Sequence, residues 1–121
     1  MDITKKVRKR FDFLTTSYGL MCVVDPKKQV VFYNDKITIT FAYDFYRHEY
    51  FDLSISENNT VVMKVNYGNV SWGDKVLADE KLSQRLQNIF KLRHQFITLS
   101  EKKLDELIEI YADYLEDYIC K

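Results

Sequence analysis

Proline occurs once in this chain, glycine three times and cysteine twice, which leaves no material for linkers, glycine-rich phosphate loops or a disulfide framework. An excess of either charge is missing as well. With 18 basic and 18 acidic residues the formal net charge is zero, so the chain carries no global footprint for nucleic acid or an anionic membrane. No apolar run approaches the roughly 20 residues that a spanning helix requires. The basic residues near the start have no apolar run behind them, so neither a membrane nor export is expected. Cys22 and Cys120 are too far apart in sequence to make a metal-ligand or redox pair, and a reduced, cytoplasmic setting is the expectation. None of the nucleotide-binding, nucleophile-elbow or zinc-protease motifs occurs, so no cofactor, no metal and no enzyme activity are expected.

What the chain does contain is pattern. Between Met21 and Tyr67 apolar and polar residues alternate, as in Ile37-Thr38-Ile39-Thr40-Phe41 and Phe51-Asp52-Leu53-Ser54-Ile55. Alternation places every second side chain on one face of a sheet, and this predicts an antiparallel meander of five strands. Paired residues must point to the same side, which constrains the turns. A four-residue loop at Asp25-Pro26-Lys27-Lys28 pairs Val23 with Val30 and Met21 with Phe32. A two-residue turn at Asn34-Asp35 pairs Phe32 with Ile37 and Val30 with Ile39. A short loop at Tyr46-Arg47-His48 aligns Tyr43 with Phe51 and Phe41 with Leu53, and three residues at Glu57-Asn58-Asn59 align Leu53 with Met63. The odd-numbered residues from Met21 to Val65 then supply one continuous apolar face.

Helical spacing flanks the meander. Ile3, Val7, Phe11, Leu14 and Tyr18 recur at three and four, and Gly19 stands where a left-handed C-cap belongs. After a loop around Gly68, Trp72 and Gly73, the residues Ala78, Leu82, Leu86, Ile89, Phe90 and Phe96 make a second stripe. A last helix carries Leu104, Leu107, Ile108, Tyr111, Tyr114, Leu115 and Tyr118, with Thr98 or Ser100 as its cap. The sheet needs its apolar face covered, and these helices are the cover. Residues 1–121 therefore read as one α+β domain: a helix, five antiparallel strands and two C-terminal helices on one face, a two-layer sandwich.

Three places invite a functional reading. The last helix presents Glu106, Glu109, Asp113 and Glu116, which would guide a basic protein partner, while Lys5, Lys6, Arg8, Lys9 and Arg10 lie near the other end of the chain. The alternative is two solvated helix faces that attract each other when the ends lie close. On the outer face of the sheet, Thr38, Thr40, Asp52, Ser54, Lys64 and Asn66 suit water, whereas Leu20, Cys22, Val24, Val31 and Tyr33 are apolar. That end of the sheet is expected under another element of the chain, or at a protein partner or homodimer contact. The hairpin tip Asp44, Tyr46, Arg47, His48, Glu49 and Tyr50 groups acid, base and imidazole. It is a solvated turn, a partner contact through Tyr46 and Arg47, or, in a small-ligand-binding or catalytic domain, the site itself.

The strings Phe11-Asp12-Phe13-Leu14, Tyr18-Gly19, Val31-x-Tyr33-Asn34, Ile39-x-Phe41-x-Tyr43-Asp44 and Leu53-x-Ile55 resemble the layout of small uncharacterised bacterial proteins grouped with toxin-immunity proteins. The resemblance spans the first half of the chain. It implies a small soluble protein that binds one partner tightly and masks it, and it transfers no functional residue. The expected function is accordingly a non-enzymatic protein-binding domain of immunity-like type.

Overall fold

The computed structural model describes residues 3–25, 29–44, 50–66, 69–71 and 101–119. The first helix forms in two pieces, α1 (Ile3–Arg10) and α2 (Phe13–Thr16). Phe11 N–H still reaches the Val7 carbonyl, but Leu14 and Thr15 donate three residues back, to Phe11 and Asp12, and the turn tightens there. The apolar stripe survives: Val7, Phe11 and Leu14 are fully buried, whereas Tyr18 lies at the surface in a T-shaped contact with Phe13. The end is closed by Gly19 and Leu20, whose N–H groups donate to Thr15 and Leu14. Gly19 sits at φ +72°, and a Cβ added there would meet nothing within 4 Å. Any cost of Gly19→Ala is thus backbone strain alone, expected at about 1 kcal/mol in urea unfolding, with Gly19→Asn closer to neutral.

Among the described residues, six strands follow in an antiparallel meander: β1 (Met21–Asp25), β2 (Gln29–Tyr33), β3 (Ile37–Asp44), β4 (Tyr50–Glu57), β5 (Thr60–Asn66) and β6 (Asn69–Ser71). The sixth strand, described over three residues, was not part of the expected alternation. The β3–β4 register is the expected one, with Tyr43 opposite Phe51 and Phe41 opposite Leu53. The other expected registers are displaced, each for its own reason.

Between β2 and β3 the turn moves one residue along the chain. The Asn34 side-chain oxygen accepts from Lys36 and Ile37 N–H at 2.8 and 2.9 Å, and Asn34 N–H bonds the Ile37 carbonyl. Asn34 therefore closes the turn from its first position. Phe32 opposes Ile39 and Val30 opposes Phe41, a two-residue slip that keeps the apolar phase.

At the β4–β5 hairpin the turn takes two residues, not three. Asn58 and Asn59 both adopt positive φ, 51° and 65°, the geometry whose twist matches a two-residue hairpin. That alone would set Leu53 against Lys64. A bulge prevents it: Ser56 opposes Val61 but Ile55 opposes Met63, so Val62 is the extra residue and Leu53 meets Val65.

The β1–β2 ladder slips by one residue, which reverses the faces of β1. Cys22 opposes Phe32 and Val24 opposes Val30, so the even residues of β1 lie on the side of the core. Leu20, delivered by the Gly19 turn, is buried at 3% exposure and sets this phase. Met21 and Val23, expected inside, point outward and are 61% and 51% exposed.

The core lies on one side of the sheet. Phe11 of the α1–α2 turn packs on Phe41 with ring centroids 4.2 Å apart, Phe41 stacks on Phe51 at 5.9 Å, and Phe51 stacks on Tyr111 at 5.4 Å. Tyr111 belongs to α3 (Glu101–Ile119), so α1 and α3 cover the same face. Leu104, Leu107, Ile108 and Leu115 are buried along α3 as their spacing predicts, and Ile110 and Ala112 join them. The described part is thus an α+β arrangement of helices on an antiparallel sheet. The helix expected over Ala78 to Phe96, the caps Thr98 and Ser100, and the hairpin tip with Tyr46 and Arg47 lie outside the described residues.

Candidate protein-binding surface

Two surfaces emerge from this frame, one charged and one apolar. The charged one lies along α1 and α3, which meet with a groove of about 370 Å³ between them, lined by Lys6, Lys9, Arg10, Asp105, Ile108 and Glu109. Arg10 donates two hydrogen bonds to the Glu109 carboxylate, at 2.8 and 3.1 Å, and approaches Glu116 at 3.8 Å. Lys6 donates to Asp105 at 2.8 Å and lies 3.1 Å from Glu101. These carboxylates hold the two cations more firmly protonated: the Asp105 hydrogen bond leads for Lys6, and the Glu109 hydrogen bond for Arg10.

The oppositely charged ends of the chain therefore satisfy each other. Of the acidic residues expected to face a partner, Glu109 and Glu116 are engaged by Arg10 of the same chain, and the charge of Asp113 also acts on Arg10. Glu106 shares their helix and is exposed. Both partners of the Arg10 pair are partly solvated, and such pairs contribute at most about 1 kcal/mol. Arg10→Ala is expected to lower stability by less than that at low ionic strength, and the deficit should vanish near 1 M salt. Urea unfolding at the two salt concentrations measures it.

The apolar surface is on the other side of the sheet. Following the ladders, Val23, Val31, Thr40, Ser54 and Lys64 lie in one row across it, and Met21, Tyr33, Thr38, Ser56 and Val61 in the next. From β3 onward these rows are polar except for Val61 on β5, which is 48% exposed. On β1 and β2 they are Met21, Val23, Val31 and Tyr33, the first two exposed and the second two half-buried. An apolar block of four residues thus occupies the β1–β2 end of this face, with Val61 as a single apolar residue apart from it.

Comparison with protein-family models, curated proteins and solved structures finds no match to this chain. The surface has to be read from its own chemistry.

Among the expected site residues, Val31 and Tyr33 are brought together on this block. The α3 carboxylates lie on a separate helix face, and Tyr46 and Arg47 lie outside the described residues. Met21 and Val23 are the residues that sequence reasoning assigned to the core. Their signal was present, since β1 is apolar at both parities, but only the β1–β2 register tells which parity faces out. Cys22, a free thiol on the same strand, is exposed; partial burial pushes its pKa up, opposed by Arg8 and assisted by Asp12. Among the described residues no group of His, Cys, Asp or Glu is placed to hold a metal, and no helix is long and apolar enough to cross a membrane.

Proposed function

We propose that this chain is a non-enzymatic protein-binding domain, and that it engages its partner through the outer side of β1 and β2. One observation carries the reading: Met21 and Val23 are 61% and 51% exposed on the outer face of the sheet, where they adjoin the half-buried Val31 and Tyr33. Large apolar side chains held out of the core by a rigid ladder stabilise an association and cost little in conformational freedom when they bind. An immunity-like role, masking one partner, is the concrete form implied by the sequence resemblance. The residues that carry that resemblance, including Phe11, Leu14, Phe41, Tyr43, Leu53 and Ile55, are core residues here, so they speak for the fold more than for a site.

The test uses tagged full-length protein against lysate of its source cells, with Met21→Lys and Val23→Lys beside the wild type. Both variants are expected to keep the wild-type unfolding midpoint within about 0.5 kcal/mol, as exposed sites do. A specific partner should be retained by wild type and lost by both. A Glu106→Lys, Asp113→Lys variant probes the acidic face of α3 in parallel. If that variant alone loses the partner, the binding surface is α3 and the β1–β2 face is removed from the reading.

A further inference from the structure

We draw no further inference here: the strongest candidate, the groove of about 370 Å³ between α1 and α3, has Lys6 and Arg10 already held by the chain's own Asp105 and Glu109, and nothing in the structure points to a ligand that would displace them.

Discussion

Phe41→Ala is expected to destabilise the protein by about 3–5 kcal/mol, the usual cost of truncating a fully buried aromatic side chain. The position is more than one large side chain in a core. The Phe41 ring centroid lies 4.2 Å from that of Phe11 in the α1–α2 turn, 5.9 Å from Phe51 on the next strand and 6.1 Å from Phe32 on the strand before, so it joins the helical layer to three strands. Removing the ring opens a cavity that neither layer can close alone, because Phe11 and Phe51 are each held by other neighbours. Since whole domains are stable by only about 5–15 kcal/mol, the variant should sit near its unfolding threshold at ambient temperature. Urea unfolding measures the loss. Phe41→Leu, which keeps much of the volume, should recover more than half of it. A loss below about 0.5 kcal/mol, typical of surface sites, would mean that the helices cover the opposite face of the sheet.

Tyr111 should show a comparable loss with a different signature. Its ring stacks on Phe51 at 5.4 Å, and its hydroxyl donates a 2.7 Å hydrogen bond to the Phe51 carbonyl in a site without exposure. Tyr111→Ala removes both contributions and is expected to cost about 3–5 kcal/mol. Tyr111→Phe removes the hydrogen bond alone, leaving the carbonyl one partner short, for about 1–3 kcal/mol. Alkali separates these contributions further. Burial first, and the charge of Asp52 second, push the Tyr111 phenol well above its ordinary value near 10. The unfolded chain then releases its proton near pH 10 while the folded one retains it, so the unfolded state gains as pH rises. Stability from this group is complete below about pH 10 and declines above it. Urea midpoints at pH 7, 10 and 11 should fall less steeply for Tyr111→Phe than for wild type. Equal slopes would show that the hydroxyl is solvated.

The acidic face of α3 illustrates how a functional expectation changes when elements come together. In sequence, Glu109 stands 99 positions from Arg10, and the α3 carboxylates read as an approach surface. In the fold, α1 crosses beside α3, and the same carboxylates bind Arg10. Helical periodicity reports which residues share a face; it contains nothing about what that face meets. For Met21 and Val23 the same limit acted in the opposite direction. Alternation ranked them with the core, and a one-residue slip of a single ladder put them in solvent.

By itself the sequence determined everything that depends on local period and composition: the α+β class of the described part, the meander order, the apolar stripes of α1 and α3, and the left-handed end at Gly19. The phase of β3 against β4 also followed, because Phe41, Tyr43, Phe51 and Leu53 must share one face, and there the expected loop length gave the observed register as well. Tertiary structure alone decided the rest. An Asn34 side chain capping its own turn, two asparagines at positive φ and a compensating bulge at Val62 all preserve burial while changing the count of residues between strands. Pattern is blind to that count, since period-two alternation is unchanged by a slip of two and rescued from a slip of one by a bulge. Where β1 meets β2, both parities are apolar, and burial of Leu20 chose between them. That choice, made by one side chain at the end of a helix, is what placed Met21 and Val23 on the surface.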